Sequence, residues 1–265
     1  MQANLSYLQP SGQRPWHYMY QPPGERAQIN SVFRAHAVAI VDARGAAASI
    51  GREVFELRPA PSDMRDWRDD DEVRRVYYPE VAKLSLAATG ARYAYVFDHQ
   101  ARRREADRAP LTFGRHADGS KPGAAGHVHN DYTALSAPRR FDALWPGSPR
   151  RRFAIVNVWR SIAGPVLDTP LAVCDARSVA PEDLVASDIH YPGRSGEIYL
   201  VRHSPRHAWH YFPRMDRHEA LVFKQYDSDP QAPRYVPHGA FDLPDIPPDA
   251  PLRESIEARC LVVYD

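Results

Sequence analysis

From residue 91 onward the chain is a succession of short β-type runs broken by turns, and this spacing restricts the fold more than any other feature. The runs are residues 91–99, 152–161, 171–175, 197–203, 208–211, 219–226, 234–236 and 255–264, separated by turns rich in Pro, Gly, Asp and Ser. Several short strands at such spacing indicate a β-sandwich or jelly roll. The 25 prolines fit a loop-rich β architecture better than a helical one, because Pro is excluded from helix interiors and central strands.

Ahead of these runs, residues 69–88 read as a helix. Acids crowd its start, apolar residues recur at three-to-four spacing, and Gly90 follows as a stop. Pro79 marks a break or a new first turn within it. Residues 1–30 read as an irregular arm with one short strand near 17–20. Residues 32–42 and 52–58 read as the strands of a hairpin, and 181–186 as a short helix. No internal repeat or low-complexity linker is visible. The expectation is one mainly β (α+β) domain over residues 1–265, a double-stranded β-helix (jelly roll, cupin-like) with flanking helices. Residues 1–65 would form an N-terminal arm and hairpin, 66–125 a helix-containing support, and 126–265 the jelly-roll core.

A net charge of +1 with dispersed Arg gives no nucleic-acid footprint. No run approaches the ~20 apolar residues that span a membrane. Two cysteines, Cys174 and Cys260, sit in apolar runs without a disulfide framework, which fits a reducing compartment. We therefore expect a cytoplasmic protein acting on a small molecule, without nucleic acid or membrane as partner; a homo-oligomer stays open.

The segment Gly126-His127-Val128-His129-Asn130-Asp131-Tyr132-Thr133 holds two imidazoles and a carboxylate. In an extended segment residues i and i+2 share a face, so His129 and Asp131 project together and His127 could join them. A His-x-Asp pair closed by a distant His is the 2-His-1-carboxylate triad of non-haem Fe(II) oxygenases; alone, the same residues suit a polar surface turn equally well. His238, at the end of a β-type run and followed by Gly239, is the best third ligand, with His207 and His210 as rivals. His207, Trp209 and Tyr211 share a strand face that could line a substrate pocket. His127 reads as a neighbour rather than a ligand.

The last strand has two chemistries. Ile256, Ala258, Cys260 and Val262 make an apolar face, whereas Arg253, Ser255, Glu257 and Arg259 make a polar one. A polar inner face implies a cavity for a charged ligand, and Arg presents a planar fork matched to a carboxylate. A dicarboxylate such as 2-oxoglutarate needs such an anchor, with Arg253 favoured over Arg259 and Ser255 beside it. Asn157 is expected near the cavity. Arg160 is expected in a salt bridge or on a carboxylate, Lys224 as a solvent-facing edge residue, and Tyr132 and Thr133 as aids to cosubstrate binding.

The order His129-x-Asp131, His238, Arg253-x-Ser255 resembles Fe(II)/2-oxoglutarate oxygenases. More narrowly, His129-Asn-Asp-Tyr-Thr133, Asn157-Val-Trp-Arg160, Pro170-Leu-Ala-Val-Cys-Asp175, Trp209-His-Tyr-Phe-Pro-Arg-Met215, Leu221-Val-Phe-Lys-Gln-Tyr-Asp-Ser228, Pro237-His238 and Arg253-Glu-Ser-Ile-Glu257 look like the branch of gibberellin-desaturase-like, aziridine-forming and CmcJ-type enzymes. The similarity covers about residues 70 to 265. It implies Fe(II) held by His129, Asp131 and His238, 2-oxoglutarate held partly by Arg253, and O2 as oxidant. Decarboxylation to succinate and CO2 would be coupled to hydrogen abstraction from a secondary metabolite, with hydroxylation, desaturation or ring closure as outcome. Two alternatives keep the fold: a cupin-like metal dioxygenase or isomerase without 2-oxoglutarate, and a non-enzymatic jelly-roll ligand-binding module.

Overall fold

Alternating apolar and polar positions sort the strands into two facing sheets. In the computed structural model, which describes residues 1–24, 27–114 and 122–265, the strands are β1 (Gln2–Leu8), β2 (Trp16–Tyr18), β3 (Phe33–Asp42), β4 (Phe55–Pro59), β5 (Tyr93–Arg103), β6 (His129–Asn130), β7 (Phe153–Ser161), β8 (Leu171–Cys174), β9 (Leu184–Tyr191), β10 (Arg194–Val201), β11 (Trp209–Tyr211), β12 (Glu219–Asp227), β13 (His238–Ala240) and β14 (Glu254–Val263). The major sheet runs β1-β3-β11-β8-β13-β6-β10-β9-β2 and the minor sheet β4-β12-β7-β14-β5. Among these strands only β3–β11 and β2–β9 pair in parallel. From β7 onward the chain crosses repeatedly between the sheets, the connectivity of the expected double-stranded β-helix.

β7 illustrates why the sheets face each other. It is buried along its whole length. Ala154, Val156 and Val158 join Ile256, Ala258, Cys260 and Val262 of β14 in a core beneath the helix. Its other face points inward, where Trp159 packs with Phe223, Leu171 and Val173. Burying each large apolar side chain there stabilises the fold by about 1.5–3 kcal/mol. β8 is likewise buried on both faces: Leu171 and Val173 face the minor sheet, while Ala172 and Cys174 pack outward against Tyr7, Ile40 and Trp209.

The expected helix forms, with a detail. Asp69 caps it by accepting from the Asp71 and Glu72 N–H groups, and Gly90 ends it at φ 67°. An initial turn, Asp70–Glu72, passes through a π-helical stretch, Val73–Tyr77, into α1 (Tyr78–Thr89). Tyr78 N–H reaches five residues back to the Val73 carbonyl. Pro79 has no N–H and its ring crowds the carbonyl four residues earlier, so the widened turn accommodates it without ending the helix.

Several expectations are corrected. The proposed hairpin does not form: β3 pairs with β1 and β11, while β4 pairs with β12 in the other sheet. β1 is an integral strand carrying the buried Leu5, Tyr7 and Leu8, not part of an arm. Residues 181–186 are a single 3-10 turn, Pro181–Asp183, running into β9. Residues 234–236 are outside regular structure, and the strand begins at His238. A helix α2 (Ser136–Leu144) was not anticipated. Among the described residues no helix is long and apolar enough to cross a membrane, and both cysteines are free and buried.

Candidate metal centre and anion pocket

β6 and β13 are neighbours in the major sheet, and their register sets His129 directly opposite His238. Directly opposed side chains in an antiparallel pair meet, and the imidazole centres are 4.4 Å apart. Asp131 follows β6 immediately, and its Oδ1 lies 3.4 Å from His129 Nε2. Ligand atoms of His129, Asp131 and His238 all fall within 4.8 Å of one another.

Backbone carbonyls set the tautomers. His129 Nδ1 donates to the His127 carbonyl at 2.7 Å, and His238 Nδ1 donates to Val236 at 3.2 Å. Each Nε2 lone pair is thereby turned to the centre, as metal-ligating histidines require. Burial, then the neighbouring His129 imidazole, pushes His238 down to about 3, which keeps it in the neutral, ligating form. His127 does stand beside the ligands, with its ring stacked on Phe33 at 3.7 Å and Nδ1 on the Ser6 hydroxyl at 2.9 Å.

The facing minor sheet shapes Asp131. Its Oδ2 accepts from Asn157 Nδ2 at 2.9 Å and Arg259 Nε at 2.8 Å, leaving Oδ1 directed to the imidazoles. Burial alone would raise this carboxyl, but the Arg259 guanidinium, with His129 and His238 alongside, holds it well below the usual range. Arg259 is fully engaged, since its other nitrogens donate to Asp98 at 3.2 Å and Glu257 at 3.0 Å. It and Asn157 therefore serve Asp131 and offer no free fork to a cosubstrate.

Arg253 is different. It is 3% exposed, donates from Nη1 to the Thr169 carbonyl at 3.0 Å and from its backbone N–H to Asp168 Oδ2 at 3.2 Å, and its guanidinium makes no ion pair among the described residues. Its Nε is buried with no partner among them. Burial pulls it down to about 10, so it stays cationic at neutral pH. An unpaired buried guanidinium is costly unless an anion joins it. Arg253 and Ser255 line the same cavity of about 390 Å³ as the three candidate ligands, with Trp159, Leu171 and Ala240 as an apolar wall. This donor set, two imidazoles and a carboxylate beside an orphaned cation, suits Fe(II) and a chelating ketodicarboxylate.

Other candidates lie elsewhere. His207 hydrogen-bonds Asp183 at 3.2 Å inside an aromatic cluster with Tyr7 and Trp209, and His210 packs on Phe55. Neither lines the cavity, and the aromatic strand is core. Arg160 has no acidic partner among the described residues: it donates to the Ala60 carbonyl at 2.8 Å and lies 5.1 Å from the Tyr77 ring, under the helix. Lys224 is not at a solvent edge but buried, bonded to Asp227 at 2.8 Å. Tyr132 does line the cavity. Thr133 instead starts α2, its hydroxyl accepting from the Leu135 and Ser136 N–H groups.

One residue escaped sequence reading. Gln225 is fully buried at a β-bulge, where the β12–β7 register shifts between Lys224 and Tyr226. Its Oε1 accepts from Asp131 N–H at 2.7 Å, and its Nε2 donates to the Val236 carbonyl at 3.1 Å. That carbonyl also orients His238, so Gln225 ties both ligand-bearing segments together. A bulge depends on pairing and leaves no local sequence signal.

Comparison with known proteins agrees with this geometry. A family profile described as "Oxidoreductase/YMDC permease-like domain" matches residues 5–263. The Fe(II)/2-oxoglutarate-dependent dioxygenase nvfI of Aspergillus novofumigatus is 30% identical over 98% of this chain and 96% of its own. The alpha-ketoglutarate-dependent dioxygenase tstK of Talaromyces stipitatus is 35% identical over 75% of this chain and 73% of its own. The solved iron and alpha-ketoglutarate-dependent endoperoxidase NvfI superposes with a TM-score of 0.85 at 27% identity, covering 100% of this chain and 98% of that one.

Proposed function

The chain belongs to the Fe(II)/2-oxoglutarate-dependent oxygenase superfamily, and we propose that His129, Asp131 and His238 hold its Fe(II) while Arg253 and Ser255 hold the far carboxylate of 2-oxoglutarate. It is an enzyme that uses Fe(II), 2-oxoglutarate and O2. The observation that carries the site assignment is the buried, unpaired Arg253 guanidinium in the cavity of the triad.

When bound, the iron supplies the oxidation chemistry, in which 2-oxoglutarate yields succinate and CO2 and a substrate C–H bond is cleaved. The protein's own contribution is positional. Asn157 and Arg259 occupy one oxygen of Asp131 and leave the other for the metal. The His127 and Val236 carbonyls hold the imidazoles in register. Trp159, Leu171 and Ala240 keep water from the anion pocket. The substrate is a small molecule undergoing hydroxylation, desaturation or ring closure, a scope supported by relatives named dioxygenase, hydroxylase/desaturase and endoperoxidase. Residues 1–265 act as one oxygenase domain, because β1 and β3 complete the sheet that bears both histidines. A cytoplasmic setting suits the two free, buried thiols.

Anaerobic titration with Fe(II) and then 2-oxoglutarate, followed near about 500 nm, tests this reading through the metal-to-ketoacid absorption. The wild type develops the band; His129→Ala loses it with the iron; Arg253→Gln keeps iron but needs much more 2-oxoglutarate. Unchanged 2-oxoglutarate affinity in Arg253→Gln would remove the anchor assignment.

A further inference from the structure

Three arginines at the rim of the cavity make no ion pair among the described residues. Arg139 and Arg140 of α2 and Arg194 at the β9–β10 turn line the same cavity as the triad. Arg140 sits 5.3 Å from the centre of the Phe97 ring, and Arg194 sits 3.9 Å from that of Tyr191. None of the three has a carboxylate partner among the described residues. The acids on this wall are already engaged: Asp98 with Arg259 at 3.2 Å, and Glu197 with Arg14 at 2.5 Å and the Thr133 hydroxyl. Aromatic faces brace a guanidinium while leaving its N–H donors available.

A second feature faces the same space. His17 is 2% exposed and lines the cavity, stacked on Phe113 at 4.2 Å with 5° between the rings. Both of its ring nitrogens are buried, with no partner among the described residues. Burial, more than the neighbouring imidazoles, holds His17 down to about 4, so the ring is an uncharged part of the wall. Met19, Phe113 and Ile189 around it are apolar.

The deep anion anchor, Arg253, stands at the start of β14, whereas these groups belong to α2, the β9–β10 hairpin and β2. We propose that the primary substrate is a carboxylic acid with an apolar body. Its carboxylate is received by Arg140 and Arg194, assisted by Arg139, and its apolar body lies along the wall of Met19, Phe113, Ile189 and the neutral His17 ring. This rests on the cofactor assignment above and adds the substrate class.

The test uses the full chain loaded anaerobically with Fe(II) and 2-oxoglutarate. Matched pairs of aromatic and terpenoid carboxylic acids and their methyl esters are titrated in, and perturbation of the visible band is read. Acids are expected to bind about 10- to 100-fold tighter than their esters, the range of a charge-assisted hydrogen-bonded contact. Arg140→Gln/Arg194→Gln abolishes this preference and retains 2-oxoglutarate affinity. His17→Phe, which keeps a flat ring against Phe113, retains the preference. Arg92→Gln, which breaks an exposed pair with Asp265, controls for net charge and keeps the preference. The proposal is overturned if esters bind as tightly as acids, if no acid perturbs the band, or if the double variant loses 2-oxoglutarate affinity in parallel. In that last case the rim serves the cosubstrate. A wild type that forms no band before any acid is added overturns the cofactor assignment itself, and this inference with it.

Discussion

At the scale of single residues, the hydrogen bonds behind the candidate ligands decide how well they are held. Gln225 satisfies Asp131 N–H and the Val236 carbonyl from one buried amide. Gln225→Leu strands both groups at about 1–3 kcal/mol each. It should therefore lower the melting temperature and weaken iron binding together, whereas Gln225→Glu keeps an acceptor for Asp131 and loses less iron affinity. Metal titration alongside thermal denaturation checks this; wild-type iron affinity in Gln225→Leu would show that the amide only fills space. Lys224 teaches a related lesson. Its ammonium joins Asp227, which Arg152 also holds at 3.1 Å. Removing one partner of a buried pair costs about 3–5 kcal/mol, and Lys224→Ala should fall at or below the low end because Arg152 remains. Urea denaturation gives the number, and a neutral substitution would contradict the burial of this pair.

At the scale of an element, β14 separates stability from function by alternation. Ile256, Ala258, Cys260 and Val262 pack under the helix, and Arg253, Ser255, Glu257 and Arg259 line the cavity. Ile256→Ala should cost about 2–5 kcal/mol of stability and leave 2-oxoglutarate affinity intact. Arg253→Met should do the reverse, since replacing a buried unpaired charge by an apolar side chain of similar length is neutral or stabilising. Paired measurements of melting temperature and 2-oxoglutarate affinity distinguish the two faces. If Arg253→Met is strongly destabilised, the guanidinium is a structural support rather than an anchor. β14 keeps β5 and β7 as its partners throughout; the pairing with β5 shifts register between Arg259 and Cys260, and beyond that point Leu261 and Val263 join the cluster around Phe141 and Phe153.

For the whole molecule, buried neutral histidines link folding to pH. His17 falls from its ordinary 6.5 to about 4 and His127 to about 3, burial being the main cause in both. Burial lowers His36, His207 and His210 in the same sense. Between about 4 and 6.5 the unfolded chain binds protons that the folded chain refuses, so stability rises with pH across that window. It is fully present above about 6.5 and is lost as pH falls toward about 4. The metal-free protein should melt at progressively lower temperature from about pH 7 to about pH 5, with a shallower slope in His17→Phe. A flat profile over that range would contradict the buried neutral state of these rings.

How much of this was legible in the sequence follows from the range of each interaction. Alternation is local, so β7 and β14 and their two faces could be read directly, as could the extent of β12 and the helix with its Asp69 start and Gly90 stop. His129-x-Asp131 was legible for the same reason. The candidate third ligand and candidate anchor were picked out by their order along the chain, but their meeting is a matter of sheet order: His238 faces His129 only because β13 pairs with β6. The role of Arg259 depended on a contact across two sheets, and the bulge at Gln225 on the register between β12 and β7. β1 and His17 lay in a stretch whose local pattern was irregular, yet the sheet and the cavity both use them. Sequence alone thus determined the longer strands of the jelly roll, the apolar face of β14 and the chemistry of the candidate ligand set, because these depend on neighbours in the chain. Tertiary structure decided which polar groups are paired and which are left for a ligand, because burial and partnership are set by residues far apart in sequence.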